Sequence, residues 1–168
     1  MSHMCKKEKL NQLIPLTKEQ KQKLYNEALA FYELAECGRM HIPEQKHVES
    51  HIPYIVNMTF CAELFLKLLL IENGKTIADV ESYSHNLHTL YNQLPPQIKD
   101  MIYSSFKRPM IYKIDDELES IKKAFVDWRY LVLNKAKGDT KHLQVKPYFL
   151  KELNEVLCDI CRKFCVAE

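Results

Sequence analysis

Three cysteines near the end of the chain are the first residues whose spacing suggests chemistry. Cys158, Cys161 and Cys165 stand at i, i+3 and i+7, so a helix would place them on one face. Three thiolates with a fourth ligand can bind zinc or copper(I). Structural zinc more often takes paired cysteines from a tight turn, however, and these cysteines border the apolar stripe of their helix. We therefore expect small buried thiols and no metal or cofactor, with metal binding on this face as the alternative.

His47 and His51 form a second candidate metal pair at i and i+4, with Glu49 between them. One helical turn would bring both imidazoles together, but Glu49 would project from the opposite side of the helix. Pro43 and Pro53 leave room for a short helix only. We interpret this segment as an exposed polar connection.

Basic residues are concentrated in two segments that are predicted to form or border loops. One contains five bases against the single acid Asp139, and the bases are Arg129, Lys135, Lys137, Lys141 and Lys146. The other interleaves bases with aromatic rings, namely Lys107, Arg108 and Lys113 with Tyr103, Phe106 and Tyr112. This composition suits phosphate contact with base stacking. A solvated, solubilising surface is the alternative interpretation of both segments.

Charged residues also interrupt the most apolar segment of the chain. Glu63 and Lys67 form an i, i+4 pair in the favourable orientation. Because an unpaired buried charge is costly, these side chains must have partners. We predict that Arg129 is a partner of Glu63.

The elements that would position these residues are predicted to be helices. The capping pattern of Thr17 and Gln20 begins a helix that ends near Cys37. The further predicted helices are 54–73, 84–94 with Ser84 as its cap, 96–106, 116–134 starting at Asp115 or Asp116, and a last helix from Pro147 whose inward residues are Leu150, Leu153, Leu157, Ile160 and Phe164. The prediction is an all-α, single-domain bundle of five to six helices over residues 17–168.

Composition excludes several classes of protein. The chain has 168 residues with 46% hydrophobic and 27% charged residues and a net charge of +2, which is typical of a globular domain. Its three glycines are dispersed, which excludes glycine-rich phosphate loops.

Residues 1–16 are interpreted as a tag scar, Met1 to Met4, followed by an extension. We expect a cytoplasmic protein with reduced thiols, no secretion signal and no membrane contact, because the apolar run 60–71 is too short for a span.

Three segments together resemble the HEPN (higher eukaryotes and prokaryotes nucleotide-binding) domain family. They are the central-helix segment beginning Asn57-Met-Thr-Phe-Cys-Ala-Glu, the segment Ser84-His-Asn-Leu-His-Thr-Leu, and Phe125-Val-Asp-Trp-Arg-Tyr. The family has a similar glutamate- and lysine-containing central helix, a similar helix start, and an arginine that opens an R-x(4 to 6)-H motif. The resemblance covers about residues 54–134.

The resemblance implies a helical bundle that dimerises and joins two arginine-histidine motifs in one cleft. Many members are metal-independent ribonucleases of toxin-antitoxin, phage-defence or RNA-processing systems, and others are inactive binding or scaffolding versions. Arg129 matches the arginine, but Asn134 follows after a gap of four residues and no histidine stands at a gap of four to six. Asparagine cannot exchange a proton near neutral pH, so general acid-base catalysis would be missing unless His85 or His88 replaces it.

Three functions therefore follow as hypotheses. The first is an RNA- or nucleotide-binding homodimer, with or without an antitoxin or other protein partner. Its binding residues would be Arg129, Asn134, Lys135, Lys137, Lys141, Glu63 and Tyr130. The second is a ribonuclease that uses Arg129 with His85 or His88. The third is a non-catalytic structural or adaptor dimer.

Overall fold

A computed structural model describes residues 15–40, 51–107, 113–130, 136 and 145–166 of the chain. These residues are helical and contain no β-strand. In chain order the helices are α1 (Lys18–Met40), α2 (Ile52–Glu72), α3 (Ile77–Ser82), α4 (Leu87–Asn92), α5 (Pro96–Ser105), α6 (Ile114–Ser120), α7 (Ala124–Arg129) and α8 (Pro147–Cys161), which continues into the π-helical turn Arg162–Val166. The predicted all-α bundle is confirmed.

The central helix α2 is buried on most sides, as its nearly continuous apolar sequence requires. α1, α8, α7 and α4 pack around it. With 21 residues, α2 is long and apolar enough to cross a membrane, so the length argument made from residues 60–71 is wrong. Within the bundle, 72% of its most apolar window is buried.

Several helix ends follow the local sequence. The Thr17 backbone N–H donates to Gln20 Oε1 and the Gln20 N–H donates to Thr17 Oγ1, so the predicted capping box precedes α1. Pro96 and Pro147 each occupy the first turn of a helix, where a missing N–H costs nothing. These ends are fixed by contacts within a few residues of sequence.

Other ends differ from the prediction. α1 continues through Gly38 to Met40, because a single glycine weakens a helix without terminating it. Asn86 caps α4 by accepting the Thr89 N–H at 3.0 Å, whereas Ser84 lies two residues earlier with a left-handed backbone, φ +54°. The cap is displaced because both residue types can accept a backbone N–H.

The predicted long helix 116–134 is interrupted. Residues 121–123 form a turn between α6 and α7. There the Leu87 N–H of α4 donates to the Lys122 carbonyl at 3.3 Å, which replaces part of the lost helical bonding. The break lets Leu118 and Ile121 on one side, and Trp128 on the other, all reach the core.

In α8, Leu150, Leu153, Leu157 and Ile160 face the core as predicted. Phe164 does not, since it is 48% exposed. The change from α-helix to π-helix after Cys161 rotates the following side chains relative to the α-helical stripe.

Candidate functional site

The carboxylate of Glu63 is the buried centre of the candidate site. Glu63 lies in the middle of α2 and is only 1% exposed. Lys67, one turn later, donates to Glu63 Oε1 at 2.7 Å. His85, in the connection between α3 and α4, places Nδ1 at 2.8 Å from Oε2 and 3.1 Å from Oε1. Two partners therefore compensate the charge that the apolar helix buries.

The contact with Glu63 sets the tautomer of His85. An ionised carboxylate can only accept, so Nδ1 must carry the hydrogen. Nε2 is then the nitrogen that is available to accept a proton, and it has no hydrogen-bond partner within the described residues. The His85 side chain is 41% exposed. This is the arrangement of an oriented base whose reactive nitrogen can reach a ligand.

An aromatic ring joins His85 to Arg129. The imidazole lies 4.7 Å from the ring centroid of Phe125. The Arg129 guanidinium carbon lies 5.0 Å from the same centroid and 5.6 Å from that of Tyr130. Phe60 of α2 stacks on Phe125 at 4.9 Å and fixes that ring against the core. The core thus positions an imidazole and a guanidinium on one aromatic side chain.

His88 is differently placed from His85. Its Nδ1 lies 2.9 Å from Glu119 Oε2, and its Nε2 lies 2.8 Å from Asn92 Nδ2 and 3.6 Å from Asp115 Oδ1. Both nitrogens are therefore occupied by neighbouring side chains. Of the two histidines named from the sequence, His85 has the more available nitrogen.

The predicted pairing of Arg129 with Glu63 is wrong. Arg129 is exposed and contacts the rings of Phe125 and Tyr130, while Glu63 is held by Lys67 and His85. The short helix α7 directs Arg129 toward solvent. Because Glu63 is buried, its carboxylate is not open to a ligand, and its contacts are with Lys67 and His85.

The two basic segments and the histidine pair predicted from the sequence are only partly covered by the described residues. Asn134, Lys135, Lys137, Lys141, His47, Glu49, Arg108 and Tyr112 lie outside the described residues. In the other aromatic-basic segment, Lys107 pairs with Glu155 at 3.0 Å and Phe106 packs on Phe149. Among the described residues of that segment, only Tyr103, at 53% exposure, offers an open ring. That segment is therefore a weaker candidate for base stacking than α7.

The cysteine face is buried, as the apolar interpretation predicts. Cys161 is fully buried and its thiol donates to the Phe65 carbonyl at 3.5 Å. Burial raises the pKa of Cys161, and also that of Cys61 on α2. Among the residues that the structure describes, no group of three or more histidine, cysteine or acidic side chains is arranged to hold a metal ion. Metal-free protein remains a prediction.

Phe125 and Phe60 were not recognised as site residues from the sequence. The sequence does contain a signal for Phe125, because the i, i+4 spacing of Phe125 and Arg129 on a helix places the guanidinium over the ring. The role of Phe60 depends on how α2 and α7 pack and has no local signal.

Comparisons with protein-family models, curated proteins and solved structures gave no match to this chain. The function must therefore be argued from the site itself.

Proposed function

We propose that this protein is an RNA- or nucleotide-binding module, built as a HEPN-like helical domain that acts as a homodimer. The observation that carries the proposal is the exposed guanidinium of Arg129, which lies against the rings of Phe125 and Tyr130. His85, in the connection between α3 and α4, contacts the same Phe125 ring.

The geometry suits a phosphate-containing ligand. Two ring contacts restrict the Arg129 side chain, so less conformational entropy is lost when its planar N–H groups bind phosphate oxygens. Tyr130 is 48% exposed and provides a ring on which a base can stack. The His85 imidazole can donate to a second oxygen when it is protonated.

The dimer belongs to the proposal and uses the exposed side of α7. Val126 is 37% exposed and Tyr130, four positions later in the sequence, is 48% exposed, which gives this surface an apolar component. A two-fold contact there would bring two copies of Arg129 into one cleft. A place in a cytoplasmic toxin-antitoxin or phage-defence system, with an antitoxin as partner, is the corresponding biological hypothesis. Sedimentation as a monomer at micromolar concentration would contradict the dimer.

The binding test is a titration of single-stranded RNA, and separately of nucleoside triphosphate, over a range of salt concentrations. Arg129→Gln should weaken binding and reduce the salt slope by about one phosphate contact, a change of roughly 0.7 in the slope for single strands. Arg39→Gln is the matched control, since Arg39 is an exposed arginine on α1 paired with Glu36. Equal affinity of the two variants would contradict the proposed site.

A second candidate function is a metal-independent ribonuclease, which is favoured by the bond between Glu63 and His85 Nδ1. This bond leaves Nε2 to take the proton of a ribose 2′-hydroxyl as its oxygen attacks the adjacent phosphorus. The P–O5′ bond breaks, the 5′-oxygen leaves and takes up a proton, and a 2′,3′-cyclic phosphate remains, while Arg129 stabilises the phosphate charge. Proton transfer of this kind contributes about 10²- to 10⁴-fold to rate.

The catalytic test is RNA cleavage in EDTA. His85→Gln should abolish cleavage and leave RNA affinity within a few fold, whereas His88→Gln should preserve most of the activity. Cleavage by neither the parent nor an Asn134→His variant, with binding retained, would favour the binding module. A folded dimer that neither binds nor cleaves RNA or nucleotide would favour the structural or adaptor role.

A further inference from the structure

Lys67 balances the charge of Glu63 without help from His85. It donates to Glu63 Oε1 at 2.7 Å, and the carboxylate is only 1% exposed. Because one cation is already bonded to the buried anion, His85 does not have to be charged to compensate it. A neutral imidazole satisfies the second oxygen by donating its Nδ1 hydrogen to Oε2 at 2.8 Å.

Arg129 adds a second cation to this group. Its guanidinium carbon and the His85 imidazole lie 5.0 and 4.7 Å from the same Phe125 ring centroid. Glu63, Lys67 and Arg129 together carry a net positive charge, so a further positive charge on His85 is not favoured. Neutral imidazole is also the main form of an ordinary histidine above pH 7.

The neutral imidazole presents a lone pair to the surface. With the hydrogen on Nδ1, Nε2 has none, and within the described residues Nε2 has no hydrogen-bond partner. The His85 side chain is 41% exposed, so a ligand can reach this nitrogen. A bare nitrogen accepts a hydrogen bond but cannot donate one. It therefore selects a ligand group that carries an O–H or N–H, and it does not bind phosphate oxygens, which only accept.

The position of Arg129 identifies the ligand group that is close enough to donate. Its guanidinium suits a phosphate, and because it shares the Phe125 ring with His85, both side chains can reach neighbouring atoms of one nucleotide. In a ribonucleotide the 2′-hydroxyl stands beside the 3′-phosphate, whereas the sugar separates the N–H groups of a base from that phosphate. The 2′-hydroxyl is also the group by which a protein distinguishes RNA from DNA at a given site.

We propose that His85 is a specificity-determining residue that accepts a hydrogen bond from the ribose 2′-hydroxyl of a ligand whose phosphate is bound by Arg129. Lys67 is the positioning residue that keeps Nε2 free of hydrogen. This inference rests on the proposed binding function and narrows its ligand to ribonucleotides.

The role of Lys67 follows from where a proton goes when its charge is removed. Without Lys67, either His85 or Glu63 takes up a proton to remove the uncompensated charge. A charged imidazole carries a hydrogen on Nε2, and a protonated Glu63 carboxyl donates to Nδ1 and moves the imidazole hydrogen to Nε2. In both cases the outward nitrogen becomes a donor, which suits phosphate and no longer accepts from a hydroxyl.

The experiment compares three single-stranded oligonucleotides of one sequence at pH 7.5 and constant salt, namely RNA, 2′-fluoro RNA and DNA. The 2′-fluoro form keeps a substituent at the 2′ position but lacks the hydroxyl hydrogen. We expect the parent protein to bind RNA about fivefold more tightly than 2′-fluoro RNA or DNA, the ratio that corresponds to one hydrogen bond of about 1 kcal/mol. His85→Asn keeps an N–H for Glu63 and lacks Nε2, so it should bind RNA and 2′-fluoro RNA equally.

Lys67→Met should reduce the ratio of the two affinities below about twofold and leave the affinity for DNA unchanged or higher. Lys21→Met is the matched control, because Lys21 is a lysine of similar exposure, 22%, that bonds Glu72 at 2.5 Å. His51→Asn, at the exposed histidine that precedes α2, is the control for His85→Asn. Both controls should keep the ratio of the parent.

Nitrogen NMR of the imidazoles in the free, full-length chain gives a measurement that needs no ligand. It should show hydrogen on Nδ1 and none on Nε2 of His85 in the parent, and hydrogen on Nε2 in Lys67→Met. Hydrogen on Nε2 in the parent would overturn the inference. Equal binding of RNA and 2′-fluoro RNA by the parent, with both weakened by Arg129→Gln, would overturn the role of His85 and leave the proposed function standing. Binding of none of the three oligonucleotides would contradict both.

Discussion

Replacing Lys67 with methionine tests the arrangement of charges around Glu63. The substitution keeps a long apolar side chain on α2 but removes the donor that lies 2.7 Å from Glu63 Oε1. The carboxylate would remain 1% exposed, with His85 as its remaining charged partner. Arg129→Met is the matched comparison, because the sequence predicted that Arg129 had the same role.

The expected loss of unfolding free energy in each variant follows from how deeply the charged groups are buried. Breaking a buried ion pair typically costs about 3–5 kcal/mol because the remaining charge loses its compensation. Lys67 is 20% exposed and His85 stays in place, so we expect a loss of about 2–3 kcal/mol for Lys67→Met. Arg129 is exposed and contributes through ring contacts worth about 0.5–1 kcal/mol at such sites, so Arg129→Met should cost about 1 kcal/mol or less.

Urea unfolding at neutral pH, followed by far-ultraviolet circular dichroism, measures both free energies. For a domain of this size, the loss expected for Lys67→Met corresponds to a decrease in Tm of about 5–10 °C. A larger loss in Arg129→Met than in Lys67→Met would refute the reasoning, since it would mean that Glu63 depends on Arg129. His85→Gln should fall between the two, because its partner remains bonded to Lys67.

Three further predictions concern stability. Burial, with the charges of nearby carboxylates, raises the pKa of Tyr91 to about 12. The neutral Tyr91 side chain therefore contributes its full stability below pH 10, the ordinary pKa of tyrosine, and that contribution is lost as the pH rises toward 12. In urea titrations at pH 11, the parent protein should have lost about 1 kcal/mol of unfolding free energy relative to Tyr91→Phe. Thr76→Ala removes the capping box of α3 and should cost about 1 kcal/mol in urea, similar to Thr17→Ala, and a change below 0.3 kcal/mol, roughly the error of such titrations, would contradict that role. Asn154→Ala should cost about 2–3 kcal/mol in thermal unfolding, because the fully buried Asn154 amide donates to two backbone carbonyls at 2.9 Å, and a near-neutral result would show that those bonds contribute nothing.

Local rules were sufficient wherever the determining contact lies within a few residues. The capping box at Thr17, the proline starts of α5 and α8, and the Glu63–Lys67 pair all belong to this class. The box formed by Thr76 and Asp79 was equally visible in the sequence, yet α3 was not predicted.

The remaining differences depend on contacts between distant segments. No glycine or proline marks the turn at 121–123, where the backbone bond from Leu87 to Lys122 stabilises the break. The break directs Arg129 to the surface. Glu63 is bonded instead by His85, which is 22 residues away in the sequence. A periodicity argument assumes a continuous helix and therefore could not identify this partner.

The central position of α2 has a consequence for the order in which the chain is made. α1 precedes α2 and can cover one side of it as soon as both are synthesised. α4 and α7 follow, and the last of the helices that pack on α2 is α8, which begins at Pro147, whereas α2 ends at Glu72. At roughly 5–20 residues per second, that separation corresponds to several seconds during which an apolar helix of membrane-spanning length is only partly covered. During this interval the uncovered apolar side of α2 is open to contact with other apolar surfaces, and the length of the interval depends on how quickly translation reaches α8.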